Sequence, residues 1–176
     1  MQAYYLSNPT KSVTPEALDA FGFKMLHVAV TATSQNQVSS LARERGYKST
    51  EPTPNDPAKQ WAQLGGTEGQ LEQMKQFFAQ EKTTGSETMF YVTSGGGFYD
   101  VRDPTSDAWI RIPVVPGLVL AFPAGAYHRY IMDGAYAKGF NWFKDPSLVK
   151  GSLTRSAESD NSAQRKAYLN SLGIQA

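Results

Sequence analysis

One stretch limits the fold more than any other: Gly117 to His128, reading GLVLAFPAGAYH. The apolar run Leu118 to Phe122 reads as a buried strand. Pro123 and Gly125 then bend the backbone sharply, because proline fixes φ and glycine admits φ > 0. The bend delivers His128 into the start of a further strand, where Tyr130 shares its face. The chain therefore needs a β framework that can hold one imidazole at the exit of a tight turn.

Around this stretch, helical signals come first and strand signals follow. AYYL alternates weakly and suggests an edge strand. Thr14 as N-cap, Pro15 at the first helical position and Gly22 as stop predict a helix over about 14–21. KMLHVAV predicts a strand. Ser34 with Gln37 has the pattern of a capping box opening a helix that ends at Gly46. Residues 51–66, with three prolines and a glycine pair, suggest an irregular loop. Thr67 with Gln70 repeats the capping pattern, and Leu71, Met74, Phe77 and Phe78 form an apolar helical face that packs on a sheet. From Glu87 onward, TMFYVTS, the Gly95-Gly96-Gly97 turn and FYDVRD suggest a hairpin. No helix follows the glycine triplet, so a turn is favoured over a phosphate loop. DAWIRIPVVPG supplies another strand, and YIMDGAYAKGFNWF two more around the turn dipeptide Asp133-Gly134. Residues 144–161 suggest irregular structure, and SAQRKAYLNSLG a closing helix. The expected class is α+β, predominantly β, as one domain over 1–176 with flanking helices.

Composition narrows the function classes. A net charge of +1 offers no electrostatic footprint for nucleic acid or an anionic membrane. The absence of cysteine excludes thiolate chemistry and zinc–cysteine sites. The start, MQAYYLSNPT, lacks the pattern of a signal peptide, and prolines and glycines interrupt the longest apolar stretch, so a cytoplasmic, membrane-free protein is expected.

The spacing G-x5-P-x-G-x2-H in this sequence is similar to the second motif of the cupin barrel, where the histidine ordinarily binds a divalent metal. More specifically, ARERGY, FYDVRD, WIRIPV, FPAGAYHRY and RKAYLNSLG resemble the acireductone dioxygenases, nearly end to end. These are iron- or nickel-dependent cupins of methionine salvage. The resemblance implies a jelly-roll, double-stranded β-helix barrel. It also implies a first motif H-x-H-x-x-x-E-x-R, which falls here on Lys82, Thr84, Thr88 and Phe90. His128 alone of the four ligand positions keeps its ligand. Threonine hydroxyls are poor ligands for iron or nickel. Deprotonating a lysine at pH 7 costs roughly 4–5 kcal/mol from its reference pKa. The expectation is therefore no metal and no cofactor. His27, the other histidine, is expected to be a core or rim residue rather than a replacement ligand.

Alternation should point Lys82, Thr84, Thr88 and Phe90 into the barrel with His128 and Tyr130. Glu87 should point away, although the family uses an acidic residue there as a base, so a bulge could bring it in. Phe140, Asn141 and Trp142 are further candidate walls, with Asn141 standing where many relatives have arginine. The reading favoured by this pattern is a metal-independent cupin that binds a small apolar or conjugated, polyketide-like molecule and catalyses isomerisation, cyclisation or dehydration. In it His128 and Glu87 are acid/base candidates, Lys82 an electrostatic partner for an enolate, and Tyr130 a hydrogen-bond donor. The binding set is Thr84, Thr88, Phe90, Phe140, Asn141 and Trp142. The alternatives are an inactive ligand-binding or regulatory protein, or a residual dioxygenase. A small molecule is the expected partner, and a monomer or homodimer the expected state.

Overall fold

The computed structural model describes residues 2–49, 51–151 and 153–175. Ten strands form two antiparallel five-stranded sheets among them. The first sheet runs β2 (Asn8–Val13), β1 (Ala3–Tyr5), β7 (Trp109–Val114), β6 (Gly97–Arg102), β9 (His128–Ile131). The second runs β3 (Lys24–His27), β8 (Leu118–Phe122), β5 (Thr88–Ser94), β10 (Lys138–Phe143), β4 (Thr53–Asn55). Helices α1 (Pro15–Ala20), α2 (Ser34–Glu44), α3 (Pro57–Gln63), α4 (Leu71–Phe78), α5 (Ala157–Asp160) and α6 (Ala163–Ser171) flank them. The arrangement is the mixed, mostly β, jelly-roll barrel that the sequence leads one to expect.

Strand alternation builds two cores. Phe90, Val92, Leu118, Leu120 and Phe122 of the second sheet meet Val101, Ile110, Ile112 and Tyr130 of the first in the barrel interior. On the other side of the second sheet, Met89, Tyr91, Val119, Ala121 and Trp142 pack against Val38 and Ala42 of α2, together with Tyr47. β8 feeds both cores, which is why its five residues are apolar without alternation. At roughly 2 kcal/mol per buried apolar side chain, that strand contributes on the order of 10 kcal/mol of gross burial.

The turn after β8 forms as expected, with Gly125 at φ +80. A Cβ there would lie 2.3 Å from the Gln164 carbonyl oxygen, because α6 is laid directly over the turn. Arg165 Nη1 reinforces the contact by donating to the Gly125 carbonyl at 3.3 Å. The closing helix thus fixes the turn that positions His128.

Several local expectations are corrected. β5 and β6 are not a hairpin: β5 pairs with β8 and β10, and β6 with β7 and β9, so the glycine triplet carries the chain from one sheet to the other. The crossing is tight, since a Cβ on Gly95 (φ +72) would fall 2.0 Å from the Tyr136 carbonyl oxygen. β9 and β10 likewise belong to different sheets on either side of Asp133-Gly134. β1 is interior, flanked by β2 and β7. The segment 51–66 holds β4 and α3 rather than only loop, because Asp56 caps α3 by accepting from Ala58 N and Pro57 supplies its first turn. Ser34 is not a capping residue; its hydroxyl bonds back to Thr31. The tail 144–161 contains a 3-10 turn, Pro146–Gly151, and α5.

Candidate functional site

A cavity of about 110 Å³ opens at one end of the barrel, under α3 and α4. Its floor is Tyr99 on β6 with His128 and Tyr130 on β9, and its rim is Lys82, Asn55 and Ala137. Pro57 and Gln60 of α3 and Phe78 of α4 close the roof. Beneath the floor the interior is filled by rings. Tyr99 packs edge-on against Phe122 at 4.7 Å and Phe90 at 6.1 Å, and lies 5.1 Å from Tyr130. His128 lies 4.9 Å from Phe122.

Lys82 and His128 are held together by their backbones. Each donates its N–H to the other's carbonyl at 3.0 Å, forming an isolated antiparallel bridge. Directly opposed residues project to the same face, so both side chains reach the cavity. On its other side Lys82 bridges Thr154, so its strand is pinned from both flanks. Its Nζ lies 5.8 and 5.5 Å from the ring centroids of Phe77 and Phe78. Burial lowers the Lys82 pKa from its ordinary value.

His128 is buried, and burial together with the Lys82 charge pushes its pKa down to about 4. It is therefore neutral at pH 7. Nδ1 lies 3.2 Å from the Ala126 carbonyl, which can only accept, so Nδ1 carries the proton and Nε2 the lone pair. The result is an uncharged base beside an amine.

The sequence-derived residues divide into three groups. Lys82, His128 and Tyr130 line the cavity, but the Tyr130 hydroxyl is already committed. It donates to the Gly96 carbonyl and accepts from Ala137 N at 2.6 Å, which ties the glycine turn to the opposite loop. Thr84, Thr88, Phe90 and Asn141 do not form the cavity walls, though Phe90 packs on the Tyr99 wall and Asn141 on the Asn55 wall. Thr84 Oγ1 is buried with no partner among the described residues, and Thr88 Oγ1 donates to the Ser86 carbonyl at 3.1 Å. Asn141 pairs opposite Phe90 and donates to Asn55 Oδ1 at 3.3 Å, while Gln60 donates to the same oxygen at 2.7 Å.

Glu87, Phe140 and Trp142 lie elsewhere. Glu87 accepts from the Tyr47 hydroxyl at 2.7 Å and sits 3.8 Å from Lys144 Nζ, outside the cavity. No bulge turns it inward: β5 keeps regular register with β8 from Thr88 on. Phe140 and Trp142 pair with Tyr91 and Met89 and pack in the outer core toward α2. His27 is exposed on β3, its ring against Gly117. Tyr99, Asn55 and Gln60 are the polar walls that sequence reasoning missed. The register Tyr99 to Tyr130 is the signal for the first. The Asp56-Pro57 cap is the signal for the other two.

The residues present do not fit a divalent iron or nickel ion. Among the described residues, no three or more His, Cys, Asp or Glu side chains converge as a metal would require. At the four positions where a metal is expected stand a lysine, two threonines and one histidine. One of those threonine hydroxyls is spent on a backbone carbonyl.

Comparisons with known proteins agree on the scaffold. A model of the ARD/ARD' family matches residues 3–137. Acireductone dioxygenase 1 of Coprinopsis cinerea is 33% identical over 187 aligned positions, covering 99% of this chain and 99% of the relative. The acireductone dioxygenase of Puccinia graminis f. sp. tritici is 34% identical over 167 positions, covering 93% of this chain and 84% of the relative. The solved acireductone dioxygenase from Bacillus anthracis, with a cadmium ion in its active center, superposes with a TM-score of 0.52 at 10% identity. That match covers 81% of this chain and 91% of that one, and at this identity it speaks for the fold. By sequence along nearly its whole length, the chain belongs to the acireductone dioxygenase family.

Proposed function

We propose that the chain is a metal-independent member of its family, which binds a small organic molecule in the Lys82–His128 cavity and moves a proton on it. One observation carries this reading: a neutral imidazole and a lysine, on backbones bridged to each other, line one aromatic cavity at positions where the family resemblance calls for metal ligands. The cavity size restricts the ligand. About 110 Å³ is well below the roughly 300–1,000 Å³ of drug-sized sites, so the ligand has only a few non-hydrogen atoms. A large polyketide does not fit this reading; a short carbonyl compound does.

In this reading His128 Nε2 takes a proton from the carbon next to a carbonyl, and the electron pair moves toward the carbonyl oxygen. A base of pKa about 4 does this only if the developing negative charge is neutralised at once. Lys82, in the same cavity wall, is the residue placed to supply that positive charge. Return of the proton from His128 to a different atom completes an isomerisation.

A second reading is a dioxygenase acting on acireductone. The relatives' names and 33–34% identity over nearly the whole chain favour it. The donor set opposes it. Both readings are separated by incubating the protein with acireductone and iron(II) or nickel(II) while following dioxygen uptake. In parallel, saturation-transfer NMR would report binding of acetone. The first reading expects uptake no faster than in metal-containing buffer, and acetone binding that weakens in Ala137→Leu, which fills the cavity. Metal-dependent uptake that disappears in His128→Ala would replace it with the second.

A further inference from the structure

We propose that Lys82 is a nucleophilic amine that forms an imine with a small aliphatic aldehyde or ketone in this cavity. The inference rests on the metal-independent reading of the same site and gives it a substrate class.

Four observations carry it. The Lys82 backbone is fixed by bridges on both sides, to His128 and to Thr154, and its Nζ lies over the Phe77 and Phe78 rings. No carboxylate or carbonyl partner for its Nζ exists among the described residues. The adjacent Glu81 is occupied on the opposite face by Arg102 and Arg155. An ammonium desolvated without a counter-ion shifts toward the free amine, the form that attacks carbonyl carbon. The cavity holds a molecule of a few heavy atoms, with His128 and Tyr99 in its lining.

The step balances. The Lys82 nitrogen lone pair forms a C–N bond to the carbonyl carbon, and the C=O pair moves to oxygen, which takes up a proton. The carbinolamine then loses water as the C–O bond breaks, leaving a protonated imine. That cation lies near the Phe77 and Phe78 rings, whose faces stabilise positive charge. A protonated imine acidifies the neighbouring C–H bond far more than a neutral carbonyl does. A weak base such as His128 Nε2 can then remove that proton to give an enamine, so the imine resolves the mismatch between a poor base and a carbon acid.

The test is reductive trapping of the intact protein with propanal and cyanoborohydride at pH 7, followed over time by peptide mass mapping. Lys82 is expected to gain the propyl group severalfold faster than the exposed Lys59 and Lys166, because burial shifts it toward the free amine. Equal or slower labelling of Lys82 overturns the imine. Propan-1-ol, which fits the same space and cannot form an imine, separates the two claims by saturation-transfer NMR. Binding of propan-1-ol without preferential labelling removes the imine and leaves the small-molecule site standing. Absence of both removes the site as well.

Discussion

Two pairs of sequence neighbours, Glu81 with Lys82 and His128 with Arg129, lie on two paired segments but face opposite ways. On the outer face every one of these charges is matched. Glu81 accepts from Arg102 at 2.8 and 3.0 Å and from Arg155 at 2.8 Å. Arg129 donates to Asp100 at 2.9 Å, and Arg111 donates to both oxygens of the same carboxylate at 2.7 and 2.9 Å. Trp109 is stacked between Arg102 and Arg129. On the inner face Lys82 and His128 have no charged partner of opposite sign among the described residues. The same strands therefore carry a satisfied ionic lattice outside and an unsatisfied amine–imidazole pair inside. Matched ions hold a structure together, whereas titratable groups kept unmatched in a cavity are a mark of chemistry.

The comparison can be broken most forcefully from its outer side. Asp100 is fully buried, and Asp100→Ala leaves two guanidinium groups without their carboxylate. A loss of about 3–4 kcal/mol is expected in denaturant unfolding. A loss below about 1 kcal/mol would mean that solvent, not Asp100, satisfies those arginines.

The inner side responds to pH. The folded-state pKa of His128 is about 4, below the usual histidine value of 6.5. As pH falls below 6.5 the unfolded chain therefore binds a proton that the folded chain refuses, and stability declines until about pH 4. The difference corresponds to about 3 kcal/mol, fully present above pH 6.5. Lys82 faces His128 and repels its protonated form, in the same direction. Asp103 and Asp145, held at about 2, lose their contribution in a lower window, below about pH 4. Unfolding midpoints between pH 7 and 4 should therefore flatten in His128→Gln. An unchanged slope would place the titration elsewhere.

Lys82→Met should move stability in the opposite direction from Asp100→Ala. Removing a desolvated cation that has no partner is expected to stabilise by about 1 kcal/mol, as apolar replacements of buried charges commonly do. Destabilisation would reveal a partner that the geometry does not show. The smallest effect is expected at Glu87. Glu87→Gln keeps an acceptor for the Tyr47 hydroxyl and should change stability by less than about 1 kcal/mol, with propan-1-ol binding intact. Altered binding would put Glu87 back in the site.

What the sequence conveyed and what it withheld follow from the range of each signal. The strand–turn–histidine stretch is local: proline, glycine and an apolar run determine it, and β8, the Gly125 turn and β9 appear where they are expected. Sheet membership is not local. TMFYVTS-GGG-FYDVRD has the appearance of a hairpin, and only pairing with β7, β8, β9 and β10 separates its two strands. Phe140, Asn141 and Trp142 are consecutive, so alternation forbids all three from sharing a face. Their register with β5 turns Asn141 toward Phe90 and the other two toward α2. The cavity roof was obscured because three prolines mask the Asp56-Pro57 cap, and with it Asn55, Gln60 and the small cavity volume. The residue types at the expected metal positions could be read directly, because they do not depend on where the side chains point: lysine and threonine stand there with one histidine.

The most direct measurement is elemental analysis after incubating the protein with iron(II) and, separately, nickel(II), followed by gel filtration. Retention well below one equivalent of either metal is expected, unchanged in His128→Ala, because one imidazole does not make a cage. Retention of about one equivalent, lost in His128→Ala, would show that a metal centre survives around His128 and would contradict the account.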